Sequence, residues 1–294
     1  MAITASMVKE LRERTSAGMM ECKKALTETG GDMEEAVQLL RTSGAAKADK
    51  KAGRIAAEGV VSIYISDDRK LGVIVEVNSE TDFVAKGDDF QGFAADIAAT
   101  VASQNPVDID ALNETKLSSG ETVDATRRTL IAKLGENIAV RRFDRIEAAD
   151  DEVISSYQHG LTIGVLVSTA GGNENIGKDL AMHIAAMKPL CVSPDEVPAD
   201  AVEKEKAVFS AQAAESGKPP EIIEKMIVGR INKFLNEVAL HGQTYVKDSS
   251  TTVGKLLKTE NASINHFTRV EVGEGIEKKV EDFAAEVAAQ AKGA

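Results

Sequence analysis

The chain has 294 residues, of which 43% are hydrophobic and 28% are charged, and this balance is typical of a globular protein with two or three domains. Its formal net charge of −12 gives a surface that repels phosphate backbones, so we expect no direct binding of nucleic acid. The sequence has no apolar stretch long enough for a membrane span, no signal-peptide core, and only two cysteines without metal-ligand spacing. We therefore expect a cytoplasmic protein without a cofactor or a bound metal.

Residues 1–44 predict three short helices. Thr4 is suited to cap the first helix, and Asp32 with Glu35 forms a capping box at the start of the third. A domain of this size is marginal on its own, which indicates a docking module. The small and basic residues of 45–57 follow, and we interpret them as a linker.

The middle of the chain contains an internal repeat. Three pairs of segments match, with spacings of 92, 87 and 124 residues: 71–75 with 163–167, 93–99 with 180–186, and 137–147 with 261–271. Each copy has the order strand, strand, helix, helix, strand. The sequence therefore predicts an α+β fold with two homologous subdomains, 58–149 and 150–189 with 239–273, each containing a small antiparallel sheet.

The change in repeat spacing locates an insertion of 37 residues in the second copy, within 190–238. This insertion predicts a helical hairpin with arms at 199–215 and 220–238. The second arm carries an apolar stripe at helical spacing that includes Ile223 and Phe234. The stripe either packs only on the other arm or pairs with a second copy of the chain, giving a homodimer through 199–238. The pattern leaves both interpretations open.

Residues 274–294 are interpreted as a C-terminal module with an amphipathic helix from Gly275 to Ala291. Its apolar positions, among them Val280 and Phe283, lie on one face. Docking of this helix on its own core is the default interpretation, and binding in a groove of a partner is the alternative.

Gly172–Lys178 is the segment that most resembles an enzyme site, because it matches G-x-x-x-x-G-K after a predicted strand. However, Asp179 stands where a Ser or Thr hydroxyl should hold Mg²⁺, and Glu174 adds a second charge that would repel phosphate. A P-loop nucleotide-binding protein is therefore a competing interpretation of the chain. A non-enzymatic adaptor is another.

Phe83 is the most informative single side chain. It follows Thr81 and Asp82 in a polar loop, after the apolar run 72–77, in a protein with only 4% aromatic residues. Such a ring either tucks back under its own loop, beside Val84, or fills a pocket on a partner. The first copy of the repeat has five extra residues in this loop, which favours a function there.

Two longer segments resemble signatures of the bacterial translation elongation factor Ts family. They are 11–26, LRERTSAGMMECKKAL, and 76–85, EVNSETDFVA. The resemblance extends over nearly the whole chain. One departure is Ser79-Glu80, where relatives commonly have Cys-Gln, and it lies outside the Asp-Phe pair.

The resemblance implies a guanine-nucleotide exchange factor, not an enzyme, whose partner is the GTPase elongation factor Tu. In the family a ubiquitin-associated-like (UBA-like) three-helix domain docks on the GTPase, and an Asp-Phe loop disturbs its Mg²⁺ and nucleotide site. The hairpin matches a dimerisation module, and the final helix matches a module that touches the partner. The exchange-loop residues implied here are Thr81, Asp82, Phe83 and Val84. The implied partner contacts are Arg12, Met19, Met20, Lys23 and His159.

Overall fold

The computed structural model of the protein describes residues 3–15, 17–214 and 219–277. Its α-helices are α1 Ala5–Thr15, α2 Met19–Glu28, α3 Met33–Lys51, α4 Asp82–Ala85, α5 Asp88–Gln104, α6 Ile109–Glu114, α7 Val123–Leu134, α8 Ile176–Met187, α9 Ala199–Ala214, α10 Pro220–Val238 and α11 Val253–Glu260. Its strands are β1 Glu58–Ile65, β2 Leu71–Ser79, β3 Ile138–Glu147, β4 Glu152–His159, β5 Ile163–Gly171 and β6 Ala262–Glu271.

The first three helices pack around a small core that includes the fully buried Leu11, Cys22 and Leu26. The capping box predicted at the start of α3 is only half formed, because the Asp32 N–H donates to Thr29 O (3.1 Å) and not to Glu35. The two predicted caps are present, since Thr4 accepts a hydrogen bond from the Met7 N–H (3.3 Å) and Asp32 accepts one from the Glu35 N–H (2.9 Å). These side chains satisfy backbone donors that a helix start otherwise leaves without partners.

Helix α3 continues to Lys51, through the first half of the segment 45–57 that the sequence predicted as a linker. The physical reason is that residues 45–51 are mainly Ala and Lys, which are strong helix formers, without Gly or Pro. The burial of Ala48 in the core of the first subdomain adds tertiary stabilisation. The N-terminal helices are therefore joined to the core by a packed helix and not by an extended segment alone.

The predicted duplication is confirmed in the topology. One sheet has the order β1-β2-β3 and the other β4-β5-β6, and both are antiparallel. The register shifts between Glu76 and Val77 in the first sheet and between Ser168 and Thr169 in the second. These two bulges have the same 92-residue spacing as the strand repeat, so the copies agree in local geometry as well as in element order.

The two sheets pack face to face, and helices cover their outer faces. On β2, Val73 and Val75 contact the helix side, in a core shared with α5 and α7, while Ile74 faces the second sheet. On β5, Val165 contacts the side of α8 and α11, and Leu166 faces the first sheet. The result is a helix–sheet–sheet–helix arrangement. It explains why both repeat strands are apolar runs instead of alternating polar and apolar residues.

Gly72 and Gly164, which correspond in the two copies, each lie against side chains of the opposite sheet. A Cβ added at Gly72 would be 2.7 Å from Ile154 Cγ2, and one added at Gly164 would be 2.5 Å from Val61 Cγ1. Real Cβ atoms do not approach this closely, so glycine is required at both positions for the sheets to meet.

Glu76 is fully buried on β2 and joins the first sheet to the chain that follows β6. Its carboxylate accepts hydrogen bonds from Arg141 (3.0 Å) and Arg142 (2.6 Å) on β3, and from the Gly273 N–H (2.8 Å). Burial raises the pKa of this carboxyl, but these bonds and one from Asn78 outweigh it and hold the pKa of Glu76 below its ordinary value. The charged cluster therefore ties the two subdomains together.

The insertion in the second copy forms the predicted hairpin, with α9 and α10 as its arms. At its base, Leu190 N–H donates to Val238 O (2.8 Å), and Cys191 pairs with Ala239 in a β-bridge. The predicted C-terminal helix lies outside the described residues, apart from its first three positions, 275–277. None of the described helices is long and apolar enough to cross a membrane.

A buried histidine fastens the base of the hairpin to α8. His183 Nδ1 accepts a hydrogen bond from the Val246 N–H (3.2 Å), so its proton is on Nε2, which donates to Gln243 Oε1 (3.0 Å). Gln243 in turn donates to Glu237 O (2.9 Å) at the end of α10. Burial lowers the pKa of His183 from its ordinary value of 6.5, which keeps the ring neutral.

This arrangement predicts a loss of stability in mild acid. Above pH 6.5 the ring of His183 is neutral in both the folded and the unfolded chain. Below that pH the unfolded chain binds the proton more readily, so the free energy of unfolding falls as the pH decreases. Urea unfolding gives the free energy of unfolding at pH 7.5 and at pH 5.5. Its decrease between these two pH values should be smaller for His183→Gln than for the parent chain. The exposed His266, changed to Gln, serves as control, and an equal decrease in all three proteins would contradict the assignment.

Candidate partner-binding site

Phe83 lies on the one-turn helix α4, where the sequence predicted only a polar loop. Its side chain is 83% exposed, so the ring does not tuck under its own segment. The opposite side of α4 is anchored, because Ala85 is buried and Val84 packs against the core of the first subdomain. The backbone of α4 is therefore fixed to the core of the first subdomain, while the ring of Phe83 is exposed to solvent.

Two carboxylates hold the start of α4 against the turn before β3. Glu136 accepts hydrogen bonds from the Thr81 N–H (2.9 Å) and the Thr81 hydroxyl (2.7 Å). Glu80 accepts one from the Asn137 N–H (2.6 Å). Sequence reasoning missed Glu136, because it is 55 residues from Thr81 and no local pattern joins them. It also gave Glu80 no role, noting it only as a departure from relatives.

Asp82 is the first residue of α4 and lies beside Phe83. Its carboxylate forms an exposed ion pair with Lys86 Nζ (2.6 Å), and this bond lowers the pKa of Asp82. A negative charge in the first turn also interacts favourably with the helix dipole. Exposed pairs of this kind contribute little to stability, so Asp82 can exchange Lys86 for a partner group at small cost.

The N-terminal candidates form a second exposed surface, on α1 and α2. Met19 and Met20 are 60% and 74% exposed on α2, and Lys23 on α2 and Arg12 on α1 are exposed as well. Cys22 and its apolar neighbours on α2 point into the small core instead. Two solvent-exposed methionines at the start of one helix form an adaptable apolar surface of the kind that suits protein recognition.

His159 lies at the end of β4, in the turn toward β5, and is exposed. Its Nδ1 is 3.2 Å from the hydroxyl of Tyr157, which orients the ring. The candidates thus fall into three groups: the α4 segment, the surface of α1 and α2, and this turn. No hydrogen bond or ion pair between described residues joins one group to another. The three groups are held relative to one another by the rest of the fold.

The segment Gly172–Lys178 follows β5 and leads into α8, as its motif requires. However, α8 begins before the second glycine, and the Asn175 N–H already donates to Asn173 Oδ1 (2.9 Å). Asp179 is bonded to Lys247 (2.5 Å). Asn173 and Asn175 are thus joined by a local bond, and the carboxylate at the position of the Mg²⁺-binding hydroxyl is held by Lys247.

Packing accounts for both glycines of this motif. Gly172 has φ +77°, and a Cβ there would lie 2.9 Å from Ala262 Cβ. A Cβ at Gly177 would lie 2.3 Å from Ser155 Oγ, where α8 crosses β4. Both are needed for close helix–strand contact without any nucleotide. In the described part of the chain, no group of three or more His, Cys, Asp or Glu side chains is placed to hold a metal ion.

Comparison with known proteins assigns the chain to a family. A sequence model described as Elongation factor TS matches residues 80–274. The Elongation factor Ts of Thioalkalivibrio sulfidiphilus is 59% identical over 294 residues, covering 100% of both chains. The chain belongs to the elongation factor Ts family. The Elongation factor Ts of Methylococcus capsulatus is 59% identical over 292 residues, and that of Legionella pneumophila is 54% identical over 290, each with 99% of both chains covered.

The elongation factor Ts family model includes α4, Glu136 and the hairpin, whereas α1, α2 and α3 precede it. The full-length relatives extend the match over those three helices. All three groups of candidate residues therefore lie in segments that align with elongation factor Ts proteins.

Proposed function

We propose that this chain is a guanine-nucleotide exchange factor that promotes release of GDP from elongation factor Tu, with Phe83 as the residue that disturbs the nucleotide site. Membership of the elongation factor Ts family supports the activity. The observation that carries the role of Phe83 is its 83% exposure on a helix anchored by Val84 and Ala85. A ring held in this way is available to a partner without rearrangement of the chain that carries it.

The proposed activity needs no bond-making chemistry. If the bound factor weakens nucleotide binding, then nucleotide weakens binding of the factor by the same ratio. Tight binding of a Mg²⁺-bridged diphosphate depends on oxygen ligands in near-octahedral geometry. A rigid ring inserted between two helices of the GTPase displaces that geometry, because densely packed helices shift to an alternative arrangement instead of compressing.

The remaining surfaces supply the affinity that offsets this strain in the partner. We assign docking to the N-terminal module, 1–44, through Arg12, Met19, Met20 and Lys23. His159 adds a polar contact from the second subdomain. Binding energy at these separate surfaces stabilises the complex in which the ring is seated, and a bare loop has no such support.

Replacing Phe83 with Ala should remove most of the acceleration of GDP release, on the order of 1–3 kcal/mol if the ring is a hot spot. Stopped-flow release of fluorescent GDP from elongation factor Tu measures this directly. Val107→Ala is a matched control, because Val107 is an exposed apolar residue of the same subdomain without an assigned role. Undiminished acceleration by Phe83→Ala would count against insertion of the ring between helices of the GTPase.

Met20→Ala and Lys23→Ala should weaken association with the GTPase more than they slow nucleotide release within the complex. The reason is that these side chains belong to the docking surface and not to α4. Titration calorimetry against nucleotide-free elongation factor Tu gives the affinity, with Lys255→Ala on α11 as an exposed control outside the assigned surfaces. Affinity equal to that of the parent chain would reject the docking assignment.

We further assign self-association to the hairpin, 199–238. Val208, Ile222 and Val228 are exposed on its two arms, and no described side chain of α10 is fully buried. The stripe at Ile223 and Phe234 is only partly covered by α9. A second hairpin packed on these positions would bury the apolar surface that one hairpin leaves in water.

Removal of 199–238 should abolish self-association measured by light scattering. Val228→Glu in the intact chain should weaken it as well, because a charge would be buried at the contact. Asn232→Glu, at an exposed polar position of the same helix, is the control for added charge. An oligomer that persists after the deletion would refute this role of the hairpin.

A further inference from the structure

We propose that Glu136 is a positioning residue for Phe83: it completes the capping of α4 from a distant part of the chain and so fixes the direction of the exposed ring. This inference rests on the proposed exchange function and adds a residue to it. Glu136 does not contact the partner in this account. It acts through Thr81, and its effect is on the geometry of the ring.

Helix α4 cannot stabilise itself. It has only four residues, so it gains almost nothing from helix propagation, and its first N–H groups have no partners within the helix. Longer helices commonly use a capping box, in which a Glu or Gln three residues after the cap returns a hydrogen bond to the backbone N–H of the cap. Here the cap is Thr81 and the position three residues later is Val84.

Val84 cannot take the role of that Glu, because its side chain has no hydrogen-bond acceptor, and it packs against the core of the first subdomain instead. Glu136 supplies the missing carboxylate from the turn between α7 and β3. Its Oε2 accepts the Thr81 N–H at 2.9 Å, which is the bond that a local Glu would otherwise form. The capping box is therefore completed by tertiary structure.

The second oxygen of Glu136 fixes the cap itself. Its Oε1 accepts the hydroxyl proton of Thr81 at 2.7 Å, so the Thr81 oxygen is left to accept from the Val84 N–H at 3.5 Å. A hydroxyl has one proton and two lone pairs, so this arrangement selects one rotamer of Thr81. Bonds to a charged acceptor are stronger than those between neutral groups. One carboxylate thus orders both the backbone and the side chain at the start of α4.

The turn that carries Glu136 is itself held from two sides. Gly135 ends α7 with φ +84°, and its carbonyl accepts a bond from Lys51 Nζ (2.6 Å) at the end of α3. Asn137 donates its N–H to Glu80 and its side-chain amide to Arg54 O (2.8 Å). The turn 135–137 therefore connects the end of the N-terminal helices to the segment that displays Phe83.

Loss of Glu136 should reduce the fraction of molecules in which the Phe83 ring has the direction that it has in this structure. The docking surfaces should stay intact. We expect Glu136→Ala to lower the maximal rate of GDP release at saturating factor roughly tenfold, with little change in the half-saturating concentration. Glu136→Gln keeps one acceptor oxygen and should lose less. A merely structural loss would reduce the amount of folded factor without changing the maximal rate.

The test compares stopped-flow GDP release from elongation factor Tu over a concentration series of the parent chain, Glu136→Ala, Glu136→Gln, Phe83→Ala and Asp108→Ala. Asp108 caps α6 in the same subdomain by accepting the Ala111 N–H (2.8 Å), so its loss removes a comparable cap far in sequence from α4. We expect Asp108→Ala to leave the maximal rate unchanged. Hydrogen exchange on the free full-length chain should show faster exchange of the amides of 82–86 in Glu136→Ala, a smaller increase in Glu136→Gln, and no change in Asp108→Ala.

Parent-like maximal rates and parent-like exchange of 82–86 in both Glu136 variants would overturn the positioning role. If Phe83→Ala slows release while the Glu136 variants do not, only this inference fails and the proposed role of the Phe83 ring stands. If Phe83→Ala also leaves release unchanged, the proposed role of the ring fails as well. Should Glu136→Ala not fold, the comparison of Glu136→Gln with Asp108→Ala gives the same decision.

Discussion

The proposed activity depends on the contacts that hold α4 against the core of the first subdomain. Burial of a phenylalanine side chain is worth about 1.5–3 kcal/mol, and the exposed Phe83 forgoes that stabilisation in the free chain. The ring can remain outward at a defined place only because contacts that do not involve it hold the backbone. Those contacts are the burial of Ala85, the packing of Val84 and the bonds that Thr81 donates to Glu136. The free energy that the ring forgoes becomes available when a partner covers it.

The duplicated core supplies a frame that keeps the separate surfaces apart. Close contact between the sheets requires Gly72 and Gly164, and the buried carboxylate of Glu76 bonds the first sheet to the chain after the last strand. Removing one partner from such a buried charged cluster is costly, because the remaining charge stays desolvated. In the proposed function, a frame of this kind lets binding at the N-terminal surface and at His159 offset the strain that Phe83 causes in the partner.

Much of the architecture could be predicted from the sequence, because its signals are local or periodic. The duplicated sheets followed from the repeat, and the hairpin arms from apolar spacing and the Pro-containing break, with both arms within one residue of the observed helices. Helix α4 could not be predicted in this way, since four residues show no period. The bond between Glu136 and Thr81 joins positions 55 residues apart and has no local signature. The roles of the surface residues came from family resemblance and stay predictions.

The most direct test of the central claim is an experimental structure of this chain bound to nucleotide-free elongation factor Tu. We expect the Phe83 ring to lie in van der Waals contact with helices of the GTPase beside its Mg²⁺ and nucleotide site, while α4 keeps the conformation and the Glu136 bonds of the free chain. A complex in which the ring is folded into its own subunit, or lies in solvent far from that site, would contradict it.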